Sequence, residues 1–290
     1  MITIDNFPSS PLISTSQILS LIAQHGSTTS LIVLPGVQFY TGQLLDIPTI
    51  TSAARAAGIF VIWDLAHAVG NVPLKLHDWD VDAAVWCSYK YLNAGPGTIG
   101  GFFVHERNSL VTTTEFGFDY QNRLSGWWGS SKGTRFNMDN HYIPISGAAG
   151  FQLSNPSIFD ITALSASLEI FSKAGMEALR EKSVKLTAYL ETLLLSTSTF
   201  KKGFFSIITP SEKRERGAQL SLKLEEGKLD LDVVMKLLEY HGVVVDDRKP
   251  DVIRVAPAPL YNSFTDVWNF VHIWEEVVSA AGEEKKGIVP

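Results

Sequence analysis

The sequence predicts an α/β fold, a mostly parallel sheet flanked by helices, with a smaller C-terminal α+β domain. Three observations lead there. Two apolar runs, 58–64 ending in Asp64 and 81–87 leading into Ser88-Tyr89-Lys90, read as fully buried parallel strands. A helical stretch opened by Pro48 and closed by Gly58 joins a strand over 30–34 to the first of those runs. That order is the right-handed crossover of a parallel sheet. Beyond residue 195 the pattern changes to short strands and two helices, without the alternation.

The elements follow in order. Ser14 or Ser16 caps a helix over 16–25, closed by Gly26. Pro35-Gly36 ends the first strand, and the loop GVQFYTGQ, 36–43, lies at the carboxyl edge of the sheet. Residues 95–100, GPGTIG, match G-x-G-x-x-G formally, but an apolar strand-like run follows where that motif needs a helix. Their glycines read instead as letting the backbone pass close to Lys90. Residues 162–195 read as one long helix with an internal Gly175. Strands are expected over 204–209, 217–224, 243–246 and 253–256. The last helix puts Val267, Phe270, Val271, Trp274 and Val278 on one face, and 283–286 read as a solvated tail.

Composition narrows the function classes. A chain of 290 residues, 45% hydrophobic and 19% charged, has ample core material for one large domain or two ordinary ones. A net charge of −6 with no basic cluster weighs against a nucleic-acid surface. The single cysteine, Cys87, excludes an intrachain disulfide, fits a reducing compartment and reads as a small buried hydrophobe. No apolar run reaches membrane-span length, and the N-terminus lacks the features of a signal peptide, so a cytoplasmic location is expected. The seven histidines show no metal-ligand spacing, and no Gly-x-Ser-x-Gly elbow is present.

Two strands thus deliver an aspartate and a lysine to the edge where open α/β sheets bind ligands. Taken alone, the pair is also compatible with a turn-capping Asp64 and a surface Lys90. The chemistry that needs both is that of pyridoxal 5′-phosphate (PLP): the amine forms a Schiff base with the cofactor aldehyde, and the carboxylate keeps the pyridine nitrogen protonated. His67 follows Asp64 at i+3 and shares its face if the segment turns helically. Arg254, inside VIRVAP, needs a carboxylate, either an internal Asp246 or Asp247 or that of a ligand.

The words GVQFYTGQ, DLAHAVGN, WCSYKYLNAGPG, GWWG, TRFNMDN and RVAPAPLYNS, in this order, resemble kynureninase, a fold-type I PLP enzyme of the class V aminotransferase superfamily. The resemblance covers nearly the whole chain. It implies hydrolysis of L-kynurenine or 3-hydroxy-L-kynurenine to anthranilate or 3-hydroxyanthranilate and L-alanine, in tryptophan catabolism and NAD biosynthesis. It implies Lys90 as the covalent and proton-transferring lysine, Tyr89 as a catalytic and phosphate-contacting residue, and Asp64 and His67 as cofactor contacts. Trp127 and Asn155 would reach the cofactor from the neighbouring subunit of a homodimer, and Arg254 would bind the substrate carboxylate. Pro35 stands where the family often has a phosphate-contacting serine, and proline offers no donor.

The resemblance also implies that the chain lacks the family's N-terminal part, with its phosphate contacts and ring-stacking phenylalanine. It divides the chain into 1–160, the C-terminal part of an incomplete PLP-binding large domain, 161–195, a connecting helix, and 196–290, a small domain. A sheet so deprived has an open edge and an uncovered face. Two other readings stand beside it. A cysteine desulfurase needs a mobile catalytic cysteine, and Cys87 lies on a strand three residues before Lys90. A non-enzymatic fragment would keep the family's words without holding cofactor.

Overall fold

The computed structural model describes residues 10–138 and 140–284. Helix α1 (Thr15–His25) starts at Ser14, whose side chain accepts the Gln17 N–H while the Gln17 side chain accepts the Ser14 N–H. Strand β1 (Leu31–Pro35) leads to α2 (Ile47–Ala56), capped by Asp46 with Pro48 in its first turn, where a missing N–H costs nothing. Strand β2 (Phe60–Asp64) pairs parallel with β1, and β3 (Ala83–Trp86) pairs parallel with β2. Strand β4 (Gly101–Val104) closes the order β1-β2-β3-β4, antiparallel to β3. The strand after GPGTIG is therefore real, but Gly100 and Gly101 pass against Trp86, not Lys90.

One face of this sheet is packed. Leu34, Val61, Trp63 and Ala84 meet Ile18, Ile22, Ile50 and Ala54 of the two helices. Trp63 is fully buried, and its indole N–H donates to Thr51 Oγ1 at 2.9 Å. The alternate residues Leu31, Val33, Val85 and Phe102 face the other way and remain 39% to 59% exposed. The strands expected to be buried on both faces are thus buried on one, and the sheet carries a bare apolar face.

β3 is shorter than the expected 81–87, and Asp82, just before it, is a hydrogen-bond hub. Its carboxylate accepts Val61 N–H at 3.0 Å, Arg107 Nη2 at 2.7 Å and Asn108 Nδ2 at 3.0 Å. Burial pushes the Asp82 carboxyl up, but these bonds and the Arg107 charge outweigh it and hold the group below its ordinary value. Asp82→Asn puts an amide against the donors and is expected to cost about 1–3 kcal/mol by chemical denaturation. The sign follows from linkage: the folded form binds its proton less well than the unfolded chain. Asp82's stabilisation is therefore complete above the unfolded carboxylate value and is lost as pH falls through the lower folded one. The difference between the two proteins should shrink in acid.

A hairpin, β5 (Val111–Thr114) with β6 (Gly117–Tyr120), was not expected from the sequence. The long helix over 162–195 is corrected to two, α3 (Ile158–Ala174) and α4 (Met176–Ser196). Between them Gly175 sits at φ 78°, ψ 136°, which no helix contains and glycine tolerates. A short helix α5 (Ser198–Lys201) follows.

The C-terminal sheet is antiparallel, in the order β7-β8-β10-β9, from β7 (Phe205–Ile207), β8 (Leu220–Leu224), β9 (Asp246–Arg248) and β10 (Val252–Val255). The strand expected over 243–246 is shifted to begin at Asp246. Helices α6 (Leu231–Tyr240) and α7 (Phe264–Glu284) pack on it. Leu186, Leu190 and Leu194 of α4 join Leu220, Leu222, Val234, Leu238, Trp274 and Val278 in a second hydrophobic core. Val267, Phe270, Val271, Trp274 and Val278 are all buried, as the helical periodicity requires. The expected tail is helical as far as Glu284, and Lys285 and Lys286 lie outside the described residues. Among the described residues no helix is long and apolar enough to cross a membrane.

Candidate active site

The site is built at the carboxyl ends of β2 and β3. Asp64 is the last residue of β2, and its Oδ1 accepts the Ala66 N–H at 2.9 Å. That bond starts a tight turn, continued by Ala68 N–H and Val69 N–H to Leu65 O, which swings His67 back beside the strand end. From β3 the chain runs through Cys87 and a buried Ser88, whose hydroxyl donates to Ile99 O. It then turns at Lys90, whose carbonyl accepts the Asn93 N–H at 2.9 Å, with Asn93 at φ 55°. Lys90 Nζ and His67 Nε2 meet at 3.0 Å.

Burial lowers the His67 pKa to about 4, helped by the positive charges of Lys90, Arg254 and Arg248 and opposed by Asp64. At neutral pH the imidazole is therefore uncharged. Toward the Lys90 ammonium its Nε2 acts as acceptor, which leaves the proton on Nδ1. Nδ1 is buried without a hydrogen-bond partner. Asp64, His67 and Lys90, chosen from the sequence, thus converge: an exposed carboxylate, a neutral imidazole with one orphaned donor, and an amine whose neighbour is that imidazole.

The His67 environment has a consequence for stability. The unfolded chain takes up this proton near pH 6.5, the folded one only near about 4. Between those values the unfolded state binds more protons, so the folded state loses stability as pH falls through that window. His67→Gln is expected to flatten that part of the stability–pH curve, measured by urea unfolding at pH 7, 6, 5 and 4.

The remaining residues are less closely grouped. Tyr89 is 50% exposed, and its phenol is pushed up by the charge of neighbouring Cys87, then by burial and a hydrogen bond with that thiol. Trp127 sits in a short 3-10 helix, Trp127–Gly129, 56% exposed and edge-on to Phe136 at 5.5 Å. Asn155 is exposed in the loop before α3. Among the described residues no hydrogen bond or ring contact joins either to Asp64, His67 or Lys90. Arg254 is buried on β10, where Nη2 pairs with Asp246 and Nη1 donates to Phe39 O of the loop 36–43 at 2.9 Å. The internal Asp246 partner, one of the two possibilities open in the sequence, is the one occupied.

Two neighbours escaped the sequence reading. Tyr91 lies edge-on to His67 at 6.1 Å, and burial pushes its phenol up to about 12, against the Arg254 charge and with help from Tyr261. Its place beside Lys90 was visible, its orientation was not. Asn71 is buried, and its amide donates to His67 O at 2.8 Å. Its one sequence signal was its place at the end of DLAHAVGN.

Comparison with known proteins places this geometry in context. Residues 179–274 match the family model described as the kynureninase C-terminal domain. The chain is 61% identical over 286 residues to kynureninase 2 of Neurospora crassa, covering 97% of this chain and 60% of that protein. It is 57% identical to kynureninase 1 of Chaetomium globosum, covering 98% of this chain and 59% of the relative. The chain thus spans about three fifths of the length of these relatives. Among solved structures, an apo cysteine desulfurase from Thermococcus onnurineus superposes with a TM-score of 0.71 at 17% identity, covering 90% of this chain and 63% of that one. A variant of the enzyme C-DES, with glycine covalently linked to its PLP cofactor, gives 0.72 at 17% identity, covering 89% of this chain and 63% of that one. These likenesses establish the α/β PLP-transferase fold.

Proposed function

We propose, with membership of the kynureninase family as the premise, that this chain carries the lysine-bearing part of a PLP-dependent hydrolase. Its substrate would be L-kynurenine or 3-hydroxy-L-kynurenine, its products L-alanine and anthranilate or 3-hydroxyanthranilate, in tryptophan catabolism and NAD biosynthesis. The observation that carries the reading is the convergence of Asp64, His67 and Lys90 at the strand ends, with Lys90 Nζ 3.0 Å from a neutral imidazole. PLP, when bound, supplies an electron sink for charge developing on the substrate.

The residues present suit that cofactor. Lys90 offers an amine, Asp64 a carboxylate for a pyridinium, and the buried His67 Nδ1 an unsatisfied donor for a polar group. Tyr89, exposed beside the site, offers a phenol to a phosphate and to proton transfer. Once free, the Lys90 amine is the base that moves a proton at the substrate α-carbon. Arg254 is the guanidinium for the substrate carboxylate. Asp246, its present partner, is half exposed and can be displaced by a second carboxylate.

A homodimer with shared sites accounts for Trp127 and Asn155. In support, residues 116–159 carry a run of exposed large apolar side chains, including Phe116, Leu124, Trp127, Phe136 and Phe159. In support of a division into 1–160, 161–195 and 196–290, one hydrophobic cluster lies within 18–84 and another is built mainly beyond residue 195, with Leu186, Leu190 and Leu194 of α4 joining it. The assignment to the cytoplasm rests on the single unpaired Cys87 and the lack of any apolar run of membrane-span length.

The test is alanine release from kynurenine, 3-hydroxykynurenine and cysteine in parallel, with PLP present. It is run for the chain alone and for the chain co-expressed with a full-length relative. Release from either kynurenine is the expected result. Release from cysteine alone would move the reading to a desulfurase, and no release in either setting would leave a non-enzymatic fragment.

A further inference from the structure

We propose that Asn71 is a positioning residue, fastening the turn that carries His67 to the C-terminal half and thereby setting the imidazole against the Lys90 amine. Asn71 is 2% exposed, and both ends of its amide are used. Nδ2 donates to His67 O at 2.8 Å, inside the turn that follows Asp64. Oδ1 accepts the Ala218 N–H at 2.9 Å, from the segment just before β8. One buried side chain therefore joins the site turn to the sheet that carries Arg254.

The surroundings leave this side chain little freedom. A Cβ on Gly217 would lie 2.4 Å from Asn71 Nδ2, so glycine there is what admits the amide. On the other side Gly70, at φ 78°, rests against the backbone of Tyr91 and Leu92, where a Cβ would approach to 2.8 Å. The turn is thus held against the lysine-bearing segment through Gly70 and against the C-terminal half through Asn71. Adjacent backbone bonds reinforce the seam: Leu44 N–H to Glu215 O at 2.8 Å and Gly217 N–H to Gly42 O at 3.3 Å. The side-chain hydrogen bonds of Asn71 go to backbone atoms of His67 and Ala218 and not to Lys90 or the imidazole ring, so its effect on them passes through the turn.

The consequence for cofactor capture rests on the functional reading above, but the geometric claim does not, and its test needs no cofactor. The full chain, with isotope-labelled histidine, is titrated by NMR, and acylation of Lys90 is followed by mass spectrometry. In Asn71→Ala the His67 midpoint is expected to rise by about one unit or more, a tenfold gain in proton affinity, as the turn opens to water. Lys90 acylation should change with it.

Asn71→Asp keeps the acceptor for Ala218 but sets a carboxylate against His67 O, and should shift His67 as well. Gly217→Ala presses on the amide from the far side and should do the same. If Asn71→Ala does not fold, the other two variants carry the test. Variants that only lower the melting temperature, with His67 titration and Lys90 reactivity unchanged, would overturn the proposal and leave Asn71 a structural residue. Failure of PLP to attach to the native chain would instead count against the cofactor reading alone.

Discussion

Lys90→Ala is expected to abolish covalent capture of PLP and, with it, turnover. Lys90 lies four residues past the end of β3, its backbone is fixed by the turn to Asn93, and its amine meets His67 at 3.0 Å. Alanine keeps the backbone and removes the nucleophile and the base together. Activity on kynurenine, measured in the setting where the native chain is active, should fall by at least about 10³-fold, since general acid–base catalysis alone contributes 10²–10⁴. Lys90→Arg should not rescue, because a guanidinium stays protonated and cannot attack an aldehyde. Borohydride reduction in the presence of PLP, followed by peptide mapping, gives a readout independent of turnover. The label should sit on Lys90 in the native chain and be missing from both variants. A label on an exposed lysine such as Lys75, with Lys90 unmodified, would sink the assignment.

The reason this site could be read from one dimension is that its parts lie at strand ends. An apolar run announces its own end, and Asp64 and Lys90 are the charged residues at two such ends. His67 was reachable by the i+3 spacing once a helical turn was assumed, and the turn is present. Asp246 was visible as a partner for Arg254, and the two lie opposite each other in the β9–β10 register. What stayed hidden depends on long-range contact. Asn71 and Ala218 are separated by 147 positions, and Arg254 and Phe39 by 215. The bare sheet face is not legible in the residue pattern, because Val33 and Val85 have the composition of interior residues; only the resemblance called for an uncovered face. At Gly175 the periodicity on either side is helical, and a single left-handed residue, which periodicity does not register, breaks it.

Trp274→Ala is expected to destabilise the protein more than any surface change, and to reach the site from a distance. Trp274 is fully buried in α7, edge-on to Phe205 at 5.2 Å and close to Phe270 at 5.9 Å. Truncating a buried aromatic to alanine costs about 3–5 kcal/mol, from lost transfer energy and the cavity left behind. One feature pulls toward the lower figure: the indole Nε1 is buried without a hydrogen-bond partner, so its removal also relieves an unsatisfied donor. Trp274→Phe should therefore recover much of the loss, since it restores ring volume without that donor. Urea unfolding, followed by backbone circular dichroism, separates the three proteins. The effect should not stay local, because the same core supports β8 and β10, which lead back to Ala218 and carry Arg254. Amide exchange in Trp274→Ala should accelerate first in those two strands, then at the Asn71 seam, with the β1–β2 pair protected longest. Equal acceleration in both sheets would show instead that the two cores unfold as one unit.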